Sequence, residues 1–343
     1  MMEAPVVLVA CTAAAAWLGV GLTRRYAVRR LLDVPNERSS HHQPTPRGGG
    51  LGLTVVHLIA MTVATLLALV RPELFAALAG GGMVVAIIGF MDDHGHVNAS
   101  LRLVCHFLIF AWAVWWLGGL PPVDFGWGAV DLGWIGTVML LLYLAWFLNL
   151  FNFMDGIDGI AGIEAITMSG TAALLVTVAG NEWHDALPLW LLAAATAGFL
   201  VWNWPPAKIF MGDVGSGYLG YSLGVLALWT VVEGWLSPWV WLIMGGAFLA
   251  DATVTLCVRA LRRERLAEAH RSHAFQRLSR HWRSHRCVTV AFAVLNVCWL
   301  GPWAWLATVN PALGAVACLV ALTPLFVFAL VLGAGQSGDI ATR

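Results

Sequence analysis

The chain has 343 residues, 59% of them hydrophobic and 11% charged, with 19 Lys and Arg balanced by 19 Asp and Glu and a mean hydropathy of +0.77. Soluble domains are about one quarter charged, so this composition excludes an ordinary soluble enzyme and points to a polytopic membrane protein. The six cysteines form no CxxC pair, which argues against a zinc site and a disulfide framework.

A helix needs about 20 apolar residues to cross a bilayer. Apolar runs fall at roughly 4–22, 51–70, 74–91, 101–119, 134–151, 160–180, 186–204, 216–233, 237–258, 287–308 and 312–333. They predict an all-α protein of about eleven transmembrane helices, folded as one membrane-embedded domain over residues 1–343. The first run lacks a basic segment before it, so it reads as a retained span and not a signal peptide. With the loop after that span on the inside and sides alternating, all of the 19 Lys and Arg except Arg71 fall inside. The positive-inside rule then puts the N-terminus outside and the C-terminus in the cytoplasm. The cytoplasmic loops are about 23–50, 92–100, 152–159, 205–215 and 259–286. Trp115, Trp116, Trp134, Trp183, Trp235 and Trp239 lie near span ends, as an aromatic belt should.

Asp, Asn, His and Gly cluster in those same inner loops, although they were not used to orient the chain. A charge at a bilayer centre costs roughly 2.5–3.5 kcal/mol on insertion scales, so ionisable groups crowded at one face need a reason. The first inner loop is rich in Pro and Gly and offers Arg47 and the run Gly48-Gly49-Gly50 to an anionic group. Asp92-Asp93 end the third run; two adjacent carboxylates make a metal or cation site, a site with one base, or plain interfacial charge. The segment from Asn149 to Gly162 is more specific. Asn149 and Asn152 share a helical face, and Asp155-Gly156 and Asp158-Gly159 then break regular structure. Mg²⁺ bound beside phosphates is held by one or two carboxylates, waters and substrate oxygens, and these oxygens suit that role. In Lys208-Ile-Phe-Met-Gly-Asp213-Val-Gly-Ser216 the glycines let backbone amides approach a phosphate at a helix start, and Asp213 can hold a metal. Lys208, the only lysine, is open between a substrate contact and an interfacial anchor. His270-Arg271-Ser-His273 lies in the last inner loop. It lacks the further ligands of a zinc site, so its cations suit diphosphate neutralisation. The other arginines of 259–286 read as a basic surface against anionic headgroups. No soluble fold presents a basic face to nucleic acid.

Together, DVPNERSSHHQPTPRGGGLG, GFMDD, NLFNFMDGIDGIAG, KIFMGDVGSGYLG and HRSHAFQRL resemble the motifs of the polyprenyl-phosphate N-acetylhexosamine-1-phosphate transferase family, of glycosyltransferase family 4 type, in the family's order across residues 33–278. The last block resembles the branch initiating O-antigen, common antigen or teichoic-acid linkage synthesis more than the peptidoglycan branch. The resemblance implies a cytoplasmic-face active site in the bacterial inner membrane. There, undecaprenyl phosphate and a UDP-N-acetyl amino sugar give undecaprenyl-diphosphate-sugar and UMP with Mg²⁺, or Mn²⁺ as a substitute. It further implies Asp213 as metal ligand with Asn152 beside it, and Asp92 and Asp93 near the lipid phosphate and metal. Asp155 and Asp158 would hold the nucleotide region, and His270, Arg271 and His273 would contact the sugar or diphosphate. Arg47, Gly48 and Asn149 would complete the pocket.

A phosphate monoester with a second pKa near 6 is mostly a dianion at pH 7, so a general base is not strictly required. Asp92 as proton acceptor and Asp92 as positioning or metal-shell residue both stay open, the second being favoured. The alternatives are an ion-coupled transporter, which would carry its charges near the midplane of broken spans, and a CDP-alcohol phosphotransferase, whose DGxxAR block the chain lacks.

Overall fold

The computed structural model describes residues 3–35, 43–95, 97–265 and 270–336. Arg38 and Arg343, two of the residues behind the orientation, and the His41-His42 part of the first motif lie outside the described residues. Helix α1 (Glu3–Arg30) runs past its apolar stretch. Its last turn carries Arg29 and Arg30, where the helix dipole favours cations. Strands β1 (Leu32–Asp33) and β2 (Thr45–Pro46) pair antiparallel, Leu32 opposite Pro46, and lead the chain into α2 (Gly50–Leu66). Next come α3 (Pro72–His94) and α4 (Ala99–Leu117). A short hairpin of β3 (Val123–Asp124) and β4 (Ala129–Val130) precedes α5 (Gly133–Met154). Then follow α6 (Ile160–Val178), α7 (Leu187–Asn203) and α8 (Gly212–Val232).

The ninth apolar run is not one rod. It folds as α9 (Pro238–Met244) and α10 (Gly246–Leu261), bent by 73° at Gly245. The loop of 259–286 is partly helical, with α11 (Ala274–Trp282) inside it. The tenth run is α12 (His285–Leu295), a π-turn (Asn296–Leu300) and α13 (Gly301–Val309). A 3₁₀ turn (Pro311–Leu313) leads into α14 (Gly314–Val331). Every predicted apolar run is therefore helical. Among the described residues, eight helices are long and apolar enough to cross a membrane, or nine if the bent pair is one span, while α2 and α7 are shorter apolar helices. The chain is an all-α polytopic membrane protein.

Helix α8 is the axis of the bundle, with 94% of its most apolar window buried. Its sequence explains this: Gly212, Gly215, Ser216, Gly217, Gly220 and Gly224 are small, and small residues let helices approach backbone to backbone in a membrane. A Cβ on Gly50 of α2 would stand 2.2 Å from the Gly215 Cα, and one on Gly89 of α3 would stand 2.5 Å from the Val214 nitrogen. These contacts gather the C-terminal end of α3 and the N-terminal ends of α2 and α8 at one end of the bundle.

Candidate active site

Backbone hydrogen bonds join the first and fourth motifs. Phe210 N–H donates to Pro46 O, Gly49 N–H to Phe210 O and Gly50 N–H to Met211 O, at 2.8–2.9 Å. The chain then turns through Gly212, whose φ of +76° favours glycine and whose Cβ position is filled by Asp93 Oδ2 at 2.6 Å.

Asp93 caps α8 from the neighbouring helix. Its Oδ1 accepts from Asp213 N–H at 3.1 Å and its Oδ2 from Val214 N–H at 3.3 Å. The first amides of a helix lack internal partners, and a carboxylate there is favoured by the helix dipole. The Arg47 Nε stands 3.7 Å from the Asp93 Oδ1, and its Nη2 donates to the Asp93 carbonyl. Asp93 is buried and engaged through both carboxylate oxygens.

Asp92 faces a different set of groups. Its Oδ1 accepts from Val97 N–H at 2.8 Å, and its Oδ2 is ion-paired with Arg102 Nη1. The same Nη1 lies 3.6 Å from Asp213 Oδ2, so one guanidinium sits between two carboxylates. Asn152 Nδ2 donates to Asp213 Oδ1 and to Ser216 Oγ, both at 2.9 Å. Asn152 thus meets Asp213 through its N–H groups and fixes the direction of that carboxylate. Asn149, one turn back, meets buried His106 of α4 at 3.1 Å. Asp92, Arg102, His106, Asn149, Asn152 and Asp213 line a cavity of about 30 Å³.

Asp158 anchors a second centre. Its Oδ2 accepts from Ala207 N–H at 3.0 Å and lies 3.3 Å from His285 Nδ1, while its carbonyl accepts from Thr289 Oγ1 at 2.8 Å. A cleft of about 1030 Å³ opens here, lined by Asp158, Phe210, Arg271, Arg280, Arg283 and His285 among others. Asp155 links the two centres. Burial, then the negative charges of Asp213, Asp93 and Asp158, push its carboxyl well above the usual carboxylate range.

His270 and His273 precede α11 and do not share a helical face. His273 is the N-cap of α11, its ring Nδ1 3.2 Å from Asp251 Oδ1, and the His270 ring stacks on it at 4.9 Å. Asp251 of α10 also accepts from Ala274 and Phe275 N–H at 2.9 and 2.8 Å. Helix α11 packs directly on the Asp-Gly loop, since a Cβ on Gly156 would stand 2.8 Å from Gln276 Nε2. Lys208 is exposed, its Nζ 5.7 Å from the centre of the Trp202 ring.

Arg102, Asp251 and His285 are absent from the residues singled out in the sequence. Arg102 was accounted for by the Lys and Arg count, and His285 stands in the segment 259–286 that read as a basic surface. Asp251 lies in an apolar run, and an ionisable residue there is a signal of function or of a buried partner.

Residues 75–231 match the profile described as Glycosyl transferase family 4. The chain is 29% identical over 272 residues to the probable undecaprenyl-phosphate N-acetylglucosaminyl 1-phosphate transferase of Bacillus subtilis (strain 168), covering 77% of this chain and 74% of that protein. It is 30% identical over 308 residues to the decaprenyl-phosphate N-acetylglucosaminephosphotransferase of Mycobacterium leprae (strain TN), covering 79% and 74%. The chain belongs to this family. It is thus one of the polyprenyl-phosphate N-acetylhexosamine-1-phosphate transferases to which its motifs pointed. A phospho-N-acetylmuramoyl-pentapeptide-transferase of Shouchella clausii (strain KSM-K16) is 28% identical over 244 residues, covering 64% and 70%. Family relatives of both kinds therefore stand at similar distances, and identity alone selects no branch. The profile covers both carboxylate centres from Asp92 to Asp213; Arg47 and the His270–His273 segment lie outside it. The family's bacterial relatives and the many-helix fold make this an inner-membrane protein.

Proposed function

We propose that the protein transfers an N-acetyl amino sugar 1-phosphate from a UDP-sugar to undecaprenyl phosphate at the cytoplasmic face. This gives undecaprenyl-diphosphate-sugar and UMP as the first step of a cell-surface polysaccharide of the O-antigen type. The observation that carries this is the juxtaposition of an oxygen-rich pocket around Asp92 and Asp213 with a cleft lined by Arg271, Arg280 and Arg283. The lipid phosphate oxygen bonds to the phosphorus bearing the sugar, the bond from that phosphorus to the bridging oxygen breaks, and UMP leaves with the electron pair. The basic cleft receives the diphosphate, with Asp155 and Asp158 on its nucleotide side and His270 and Arg271 near the sugar. Charge neutralisation and positioning carry most of such a transfer.

The donor set fits Mg²⁺. Among the described residues no three His, Cys, Asp or Glu side chains converge on one point. Asp92 and Asp213 face each other across Arg102, and one or two carboxylates with waters and phosphate oxygens are what Mg²⁺ takes beside phosphates. Hard oxygen donors of this kind suit Mg²⁺ or Mn²⁺. Asp213 and Asp92 would hold the ion, with Asn152 orienting Asp213, and the ion would supply neutralisation of the phosphoryl oxygens. Asp93 and Arg47 hold the start of α8 against α3. Asp92 positions and does not need to take a proton, because the nucleophile is already ionised at pH 7. The transporter alternative has less support: these carboxylates sit at the ends of α3, α5 and α8, which are unbroken.

The test is UMP release by purified protein with undecaprenyl phosphate and a panel of UDP-sugars. Release should require the lipid phosphate and one N-acetyl amino sugar and should stop with EDTA. Release that persists in EDTA-stripped protein without added metal rejects the metal-dependent reading.

A further inference from the structure

A second polar cluster lies away from the site, inside the bundle. Glu164 of α6 is fully buried, and Asn296, first residue of the π-turn, is nearly so. Asn296 Nδ2 donates to Glu164 Oε2 at 2.6 Å and to Thr167 Oγ1 at 2.8 Å. The Thr167 hydroxyl donates to backbone carbonyls of α6. Both amide hydrogens and the hydroxyl hydrogen are therefore engaged. Two buried acceptors are left without a donor: Glu164 Oε1 and Asn296 Oδ1. No Lys, Arg or His is ion-paired with Glu164 among the described residues. The elements packed on α6 carry few ionisable groups: His285, Arg286 and Cys287 at the start of α12, Cys298 in the π-turn, Asp213 and two tyrosines on α8, and Tyr143 on α5.

An ionised carboxylate with one bare oxygen in an apolar interior is costly, and so is an unpaired amide oxygen. One hydrogen satisfies both atoms. If Oε1 carries a proton, it donates to Asn296 Oδ1 while Oε2 accepts from Nδ2, closing a ring of two hydrogen bonds.

The location gives this ring a consequence. Helices α6 and α12 meet at two levels. At the upper level, His285 and Thr289 of α12 hold Asp158 just before α6. At the lower level, Asn296 holds Glu164. A π-turn interrupts the helix at that contact, and such turns are rare and frequent at functional sites. We infer that Glu164 is a neutral carboxylic acid in a cyclic acid–amide pair with Asn296, and that the pair is a positioning element for the Asp158–His285 edge of the basic cleft.

Infrared spectroscopy of the purified protein in ester-free detergent at neutral pH reads the first part directly. The difference between wild type and Glu164→Gln should show a neutral-acid carbonyl band, lost in the variant and shifted in D₂O. A difference made of ionised-carboxylate bands overturns the inference. The kinetic arm rests on the proposed transfer reaction. Gln can close the same ring through its own N–H, so Glu164→Gln should keep KM for the UDP-sugar within about twofold, whereas Glu164→Leu should raise it about tenfold with a smaller change in kcat. Equal KM for the two variants, whether normal or raised, overturns the positioning role. If wild type itself releases no UMP, the transfer reading fails while the infrared result still decides the acid's state.

Discussion

Asp93 accepts the backbone N–H of Asp213 at 3.1 Å, so the second carboxylate of the Asp92-Asp93 pair holds the residue that the first one faces. Adjacent residues on a helix point in different directions, and here the difference separates two tasks. Asp93 closes the α3–α8 junction, whereas Asp92 lies beside Arg102 and the Asp213 carboxylate.

Asp93→Ala should therefore lower both stability and turnover. Two amides at a buried helix start lose their acceptor, a loss of about 1–3 kcal/mol for each one left unpaired. Asp92→Asn should lower turnover with little change in unfolding temperature. Thermal unfolding in detergent beside a UMP-release assay measures both. Equal unfolding temperatures for the two variants would contradict the division of tasks.

Arg102 stands between Asp92 and Asp213 as a cation would. Arg102→Ala removes the local positive charge, so Mg²⁺ should half-saturate at a lower concentration. Turnover should fall about ten- to a hundredfold as the carboxylates lose their alignment. A titration of rate against Mg²⁺ reads both effects, and weaker Mg²⁺ binding in the variant would contradict this placement.

The bundle was legible in the sequence because the length and apolarity of a span are strong, local signals. Two features of the bundle were not legible. The bend at Gly245 falls inside an apolar run whose composition does not change there. Helix α11 is short and polar, and its start is fixed by Asp251 in a different helix. The candidate site was legible as motifs, since Asp and Asn beside Gly at span ends stand out. The pairing of Asp93 with the amides of α8, and of Asp158 with His285, was not legible. Both contacts join residues more than a hundred positions apart, and spacing along one chain carries no register for them.

Gly156→Ala tests the contact between the Asp-Gly loop and α11. The added methyl would meet Gln276 Nε2 at 2.8 Å and the Phe275 ring at 2.9 Å. The Gln can swing away, but the ring belongs to the capped first turn of α11. KM for the UDP-sugar should rise about tenfold or more, since small displacements cost orders of magnitude in positioning. Michaelis kinetics with the best UDP-sugar is the measurement, and an unchanged KM would separate α11 from the cleft.

Orientation is open to labelling. In a cysteine-free parent, single cysteines introduced in 120–132 should react with an impermeant reagent from outside the cell, and those in 270–286 should be protected. Equal reaction at both sites would reject the orientation drawn from the arginines.

Asp213 and Asp92 should part company when metal and pH are varied together. With Asp213 holding the ion, Asp213→Asn should require far more Mg²⁺ and turn over at a small fraction of the wild-type rate. With Asp92 positioning a lipid phosphate that ionises near pH 6 unaided, Asp92→Asn should keep a similar Mg²⁺ dependence, and its deficit should stay constant from neutral pH upward. The sign separates the two roles of Asp92. A base is dispensable once its substrate is fully ionised, so a lost base leaves a deficit that shrinks as pH rises. A lost positioning contact leaves one that does not. Turnover against pH at saturating Mg²⁺, and against Mg²⁺ at fixed pH, resolves both variants. Recovery of Asp92→Asn at high pH would make Asp92 the base, and wild-type Mg²⁺ dependence in a still-active Asp213→Asn would remove Asp213 from the metal.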